Sequence, residues 1–396
     1  MNKLIYLTFC ILAITACNSS SNRDKYNSKE VEDMKLGETT ILKVNTDSIK
    51  EVDISQVTDA VDFDFGSLVS EVKAIKLETT EKSIVGVINK IIITPSNIII
   101  YDNYQQDGAI IFDKEGHYIK RIARGNGPGE INRLWDIDYD YENNEIYVYN
   151  HPFFKIFDEN GKYKRDVKLP LGFYNFKVID NKYLLKGIHN QGNYHAGDFH
   201  NYTFFVLNKD MQVEKAALNY IHDVGYGGRY NMSSNGKDVN VTNQLCDTIY
   251  TYKDGYLFAK YKLKYNNHIS ETVLNDKKRF WEQYEKQDVY CFMGEYLETN
   301  DYATIFLSSR RGTKFAYLNK KTGKIAGGQR HSVDEKRLPY FICPFSTYED
   351  YFVSYIQECS PQLTENEIIS AEDVEKFKSI EDGDNPIIVL YKIGNL

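Results

Sequence analysis

The chain has 396 residues, of which 42% are hydrophobic and 14% aromatic, enough to bury a sizeable core and too apolar for a disordered or collagen-like chain. Its 48 Lys and Arg stand against 56 Asp and Glu, a net charge of −8 with no extended basic block. Affinity for phosphate backbones comes chiefly from clustered Lys and Arg, so a nucleic-acid partner is not expected.

The first element is an address. Residues 1–17 hold Lys3, an apolar run over 4–14 and the tetrapeptide Ile14-Thr15-Ala16-Cys17. The run is about half of the roughly 20 residues needed to cross a bilayer core, so it reads as a secretion signal rather than a span. The tetrapeptide resembles the lipobox of bacterial lipoproteins, where small residues before a cysteine admit the signal peptidase and the sulfur receives a diacylglycerol group. The resemblance implies a signal over 1–16, a lipid on Cys17 and attachment to a membrane of the cell envelope. Asn18, in place of an aspartate, favours the outer membrane, with the periplasmic or surface side left open. Residues 18–30 are rich in Ser, Asn, Lys and Asp and read as a flexible tether, so 17–68 is taken as anchor and lead-in to a folded unit over 69–396.

Loss of 1–16 removes Cys10 and lipidation uses Cys17, leaving Cys246, Cys291, Cys343 and Cys359. Four cysteines do not make a disulfide scaffold, and no spacing resembles a zinc site. Cys343 and Cys359 fall on the two arms of an expected hairpin near Glu349-Asp350, and whether they pair is left open.

From about residue 69 the chain is a succession of short β-branched and aromatic runs separated by Gly, Asn, Asp and Lys turns, the pattern of an all-β fold. One phrase recurs. Ile111-Phe112-Asp113-Lys114-Glu115-Gly116 returns 45 residues later as Ile156-Phe157-Asp158-Glu159-Asn160-Gly161, and more weakly around Asn208, Lys253 and Asn319. A period of about 40 to 50 residues with four strands per unit marks propeller blades. Blades are expected over 87–124, 135–169, 174–220, 230–265 and 289–331, with a sixth from about 342 that runs out one strand short. The unused run over 72–77 can supply the missing strand and close the ring, which predicts a six-bladed β-propeller sealed by an N-terminal strand in the last blade.

Four features together resemble the six-bladed β-propeller lipoproteins of Gram-negative bacteria, a family similar to NHL-repeat and TolB-like propellers. They are Leu77-Glu78-Thr79-Thr80, the Phe-Asp-x-x-Gly turns, Arg124-Gly125-Asn126-Gly127-Pro128-Gly129-Glu130, and Asp384-Asn385-Pro386-Ile387 with the apolar run that follows. The resemblance implies a fold and a compartment and carries over no catalytic residue.

In a four-stranded blade, the first-to-second and third-to-fourth turns share one face of the disc. Here they are short, whereas the connections on the other face, over 125–134, 189–201, 221–230, 266–288, 332–341 and 358–385, are long. Short helices are expected among them at 271–285 and 371–380. Elaborated loops at one mouth are where binding usually sits, so the candidate ligand-binding residues are taken from that face. Glu130 closes a glycine-rich loop that lacks the Lys-Ser/Thr of a phosphate cradle and reads foremost as backbone geometry. His189, His195, His200 and His222 are loop histidines whose spacing fits no metal template. Tyr226, Tyr230, Tyr340 and Trp281 offer flat stacking surfaces, and Arg229, Arg310 and Arg311 offer bidentate contacts to an acidic group. Blade packing or plain solvation accounts for the same residues equally simply.

Two functional readings follow. The first is a monomeric, lipid-anchored binding or scaffolding propeller that needs no cofactor and captures a glycan, peptide or envelope protein at its loop-rich face. The second is a metal-dependent hydrolase or lyase whose site gathers side chains from several blades at the channel mouth, which spacing alone cannot test.

Overall fold

Each recurring phrase is a strand, a tight turn and a second strand, and in four of the five a side chain caps the turn. Asp113 Oδ1 accepts hydrogen bonds from Glu115 N (3.0 Å) and His117 N (2.8 Å), and Asp158 Oδ1 accepts from Asn160 N (3.0 Å) and Lys162 N (2.8 Å). Asn208 and Asn319 cap their turns in the same way. The capping group satisfies turn amides that the ladder cannot reach, which is why Asp or Asn recurs at this position. Gly116 adopts φ +94°, and a Cβ there would stand 2.1 Å from Lys76 O of the adjoining blade. Gly323 holds the equivalent turn at φ +73° with nothing within 4 Å. Gly116→Ala is therefore expected to cost at least about 2 kcal/mol, backbone strain plus a clash with a fixed carbonyl, and Gly323→Ala about 1 kcal/mol from strain alone. Thermal unfolding of the two variants side by side checks the difference.

A computed structural model describes residues 26–60, 63–102, 108–187, 193–219, 231–286, 288–310, 312–329, 344–394 and 396. Four strands precede the first blade: β1 (Thr40–Ile41), β2 (Val44–Asn45), β3 (Lys50–Asp53) and β4 (Val69–Lys76). Blade one is β5 (Lys90–Ile93), β6 (Asn97–Asp102), β7 (Gly108–Asp113) and β8 (Tyr118–Ile122). Blade two is β9 (Asp136–Asp140), β10 (Glu145–Asn150), β11 (Phe153–Asp158) and β12 (Tyr163–Lys168). Blade three is β13 (Asn175–Ile179), β14 (Lys182–Lys186), β15 (Tyr202–Leu207) and β16 (Val213–Asn219). Blade four is β17 (Met232–Asn235), β18 (Asp238–Thr242), β19 (Thr248–Lys253) and β20 (Tyr256–Lys264). Blade five is β21 (Cys291–Glu298), β22 (Tyr302–Ser309), β23 (Gly312–Asn319) and β24 (Ile325–Gln329). Blade six is β25 (Ser346–Tyr348), β26 (Tyr351–Ile356) and β27 (Ile387–Ile393), completed by β4.

The expected closure is present. β4 runs antiparallel to β27, with Lys76 opposite Ile387 and Val72 opposite Tyr391. Apolar side chains gather in a cluster at every junction between neighbouring blades, and the cluster joining blade six to blade one contains Leu390, Val353, Ile91 and Phe112. Six blades with six junctions make a shut ring. Because each blade is covered on both faces, second strands such as β6 and β10 are buried at every residue, whereas the outer strands β12 and β20 keep exposed positions.

Four of the six outer edges are covered as well. β1 adds in parallel to β16, while β2 and β3 add to β20. The short helix Ser55–Asp59 packs against blade five, where Gln56 donates to Ile325 O at 2.9 Å. Over the free edge of β4 lies the helix Ala371–Lys378: Asp373 Oδ1 accepts from Ala74 N, and Lys376 Nζ donates to Ala74 O. On β8 and β12, the outer strands of blades one and two, exposed or half-exposed Lys and Arg discourage strand addition.

The lead-in already holds built structure where its polarity suggests a tether. Tyr26 is buried, the helix Ser28–Asp33 starts with a capping box between Asn27 and Glu30, and Met34 enters the core between blades two and three. Residues 28–60 thus form a belt around blades three to five, ahead of the expected start of the folded unit.

Candidate functional site

The first strand of each blade lines the axis, and blade two brings acids there. Asp136, Asp138 and Asp140 alternate along β9, so all three lie on one side of it, and each is no more than 4% exposed. Asp136 Oδ1 accepts from Lys90 Nζ of blade one at 3.0 Å, and its Oδ2 accepts from Phe176 N of blade three at 3.1 Å. Asp138 reaches blade three in the same way, accepting from Lys177 Nζ at 2.7 Å and Val178 N at 2.9 Å. Buried carboxylates need such partners, and these pin three consecutive blades together. Asp140 accepts from Glu142 N and Asn143 Nδ2 and caps the turn into β10.

On the short-turn side the axis widens into a chamber of about 400 Å³, walled by the first turns of blades two to six. Its carboxylates are Asp138, Asp140, Glu142, Asp180 and Glu349. Two lysines share it: Lys177 pairs with Asp138, and Lys237 pairs with Asp180 at 2.6 Å, which holds the Asp180 carboxyl below its ordinary range. Tyr141 is 57% exposed as a residue, while its hydroxyl turns inward and donates to Ile93 O at 3.1 Å. Burial of that hydroxyl, with the Asp138 carboxylate nearby, pushes the phenol upward and keeps it a donor. Deeper in, the chamber narrows to a neck of about 60 Å³ that shares Asp138, Tyr141, Lys177, Ser234 and Thr347 with it and adds Ser233 and Ser346. Together they form a funnel down the axis from the face opposite the loop-rich one.

The loop-derived candidates do not assemble among the described residues. Glu130 turns its carboxylate back on its own loop, where Oε2 accepts from Gly127 N at 2.8 Å and would crowd any Cβ on Gly125. His195 donates from Nε2 to Pro170 O at 2.7 Å, and its ring stacks on Tyr26 with centroids 4.2 Å apart. His200 is tied to Gly197 O in its own turn. Trp281 lies on the helix Lys277–Lys286 beside buried Phe280 and Tyr284, which makes this helix a cap on the core. Arg310 stands exposed at the turn between β22 and β23. Cys17, His189, His222, Tyr226, Arg229, Tyr230, Arg311 and Tyr340 lie outside the described residues, as does Cys343, and Cys359 is an exposed free thiol. Among the described residues no group of three or more His, Cys, Asp and Glu could hold a metal.

Loop length points away from the residues that do converge. The sequence signal for them is Asp-Ile-Asp-Tyr-Asp, three acids on one side of a core strand, a costly pattern unless those acids have partners or a task. Loop length is equally silent about Trp135, which stands exposed just before β9 on the loop-rich side, with the Arg133 guanidinium 4.0 Å from its ring centroid.

The model of the family described as "Domain of unknown function (DUF4934)" matches residues 49–392. The chain belongs to that family. The matched span begins just before β3 and ends within β27, and so takes in all six blades of this DUF4934 member. Among solved structures, it is similar to a protein of Bacteroides fragilis NCTC 9343 described as exported, at 17% identity and TM-score 0.69, over 90% of this chain and 100% of that one. That likeness shows the fold. Looser matches are to the extracellular domain of a one-component system of B. thetaiotaomicron (11% identity, TM-score 0.35, 66% of this chain and 30% of that one) and to PorZ of Porphyromonas gingivalis, a surface component of the type-IX secretion system (11% identity, TM-score 0.33, 72% and 36%). No curated protein matches the chain.

Proposed function

We propose that the chain is a non-catalytic binding propeller of the bacterial cell envelope, lipid-anchored through Cys17, which takes a glycan, a peptide or a segment of a partner protein at its short-turn mouth. The observation that carries this reading is the funnel: five separate blades contribute its wall, and it continues into the axis instead of ending as a surface dent. The route of the lead-in supports it. Tyr26 stacks on His195 on the loop-rich side, and Glu30 pairs with Lys168 nearby. Nine peptide units separate Tyr26 from Cys17, a reach of at most about 30 Å. A lipid on Cys17 would hold the loop-rich rim close to the bilayer and leave the funnel facing away from it.

Ser234 belongs to both chamber and neck, so Ser234→Trp should block the funnel from inside, while Arg310→Ala alters only the loop-rich face. Glycan-array and peptide-array binding of the exported chain is expected to survive Arg310→Ala and to fall at least about tenfold with Ser234→Trp. Binding lost through Arg310→Ala and kept through Ser234→Trp would return the site to the loop-rich face.

A further inference from the structure

The funnel has a chemical bias that narrows its ligand class, an inference resting on the short-turn mouth being the binding site. In the neck, Ser233 is only 7% exposed, and among the described residues its buried Oγ has no hydrogen-bond partner. The Oγ of Ser346, on the first strand of blade six, is likewise buried and has no partner among the described residues. A buried hydroxyl left unsatisfied carries its full desolvation cost, so two in one narrow neck make a local demand for a hydrogen-bonding group that enters from outside.

At the mouth the bias is electrostatic. Each chamber lysine is committed to a carboxylate, Lys177 to Asp138 and Lys237 to Asp180, with Glu142 a further 3.9 Å from Lys237. The Lys114 ammonium lies 4.0 Å from the ring centroid of Tyr348, beside Glu349. Among the described residues, even with Lys114 counted, the five chamber carboxylates outnumber the ammonium groups that face them. Of the chamber acids that no lysine holds at hydrogen-bond distance, Glu142, 43% exposed at its side chain, and Glu349, at the first turn of blade six, are the exposed ones. The aromatic lining suits a cation as well, since Tyr348 already holds one against its ring and Tyr141 lines the same chamber. A ligand that meets both ends carries hydroxyls at its leading edge, a positive charge behind them, and a flat face for a phenol ring.

We propose that the funnel binds a sugar with a free, protonated amine, its hydroxyls entering the neck at Ser233 and Ser346 and its ammonium facing Glu142 and Glu349 beside Tyr141. The amine must be unacylated, because an acetamide removes the charge that the mouth selects. The chamber of about 400 Å³ has room for one or two sugar rings.

The test is calorimetric titration of the exported chain with the free-amine glucosamine disaccharide, its di-N-acetyl form and cellobiose. The free-amine disaccharide is expected to bind at least about tenfold more tightly than either control and to weaken as salt rises from about 0.05 to 0.5 M. Glu142→Gln with Glu349→Gln should weaken it about tenfold, and Ser233→Ala about fivefold. Ser233→Ala separates a binding role from a structural one, since losing an unsatisfied buried hydroxyl should leave the melting temperature unchanged or higher. Equal or tighter binding of the acetylated disaccharide or cellobiose overturns the amine assignment, and binding indifferent to all three substitutions overturns the location. If the free-amine disaccharide fails to bind while another ligand is blocked by Ser234→Trp, the amino-sugar class is wrong and the funnel stands. If Ser234→Trp blocks no ligand, the funnel itself is wrong.

Discussion

Val389→Asp is expected to abolish cooperative folding of the ring. Val389 is fully buried in β27, with Ser354 of β26 on one side and Ala74 of β4 on the other. The substitution places a carboxylate in the junction between blades five and six, among Phe352, Tyr317 and Tyr391, where the two tyrosine hydroxyls already bond each other at 2.9 Å. An unpaired buried charge costs several kcal/mol, a large part of the roughly 5–15 kcal/mol that holds a domain together. Circular dichroism melting should show a broad, early transition. Lys73→Asp, on the neighbouring closing strand β4 opposite Leu390 and with a side chain 54% exposed, should melt within a few degrees of the parent.

The second large effect is expected at Glu298. This side chain is 3% exposed and accepts from Lys260 Nζ at 2.6 Å, Lys320 Nζ at 3.1 Å, Asn240 Nδ2 at 3.0 Å and Tyr296 Oη at 2.7 Å, joining blades four and five. Glu298→Ala removes the counter-charge of two ammonium groups, and about 3–5 kcal/mol should be lost in urea unfolding. Glu298→Gln keeps one of the two acceptor oxygens and loses the charge, and should lose about half as much. Burial alone would raise the Glu298 pKa, but the two lysines and the Asn240 amide overcome it and hold it at about 2. Glu145 is held at about 2 against its own burial by Arg165 and Lys164. Both values lie below the ordinary carboxyl value of 4.5, so their contribution is complete above that pH and drains away as pH falls toward 2. Urea midpoints at about pH 7, 4 and 3 should decline in that order, with a shallower decline in Glu298→Gln.

The blade framework was legible because it repeats. A capped turn such as Asp113 to Gly116, returning at Asp158 to Gly161, reports strand, turn and strand from a few adjacent residues, and the leftover run ahead of blade one announced the closing strand. The helix at Lys277–Lys286 was legible from Phe280, Trp281 and Tyr284 at helical spacing. The belt was not, since β1 and β2 are two residues each and draw their order from β16 and β20 rather than from their own sequence. The funnel was hidden for a related reason. Its wall comes from five turns separated by tens of residues, each too short to attract notice, and only the alternating acids of β9 marked it locally.

The two faces, and with them the funnel, follow from β4 sealing blade six. Hydrogen exchange of the peptide over 69–76 tests this most directly. Protection matching that of β26 and β27, lost in step with theirs under Val389→Asp, is the predicted result. Exchange of 69–76 within seconds while the remaining blades stay protected would show an open ring and contradict the account.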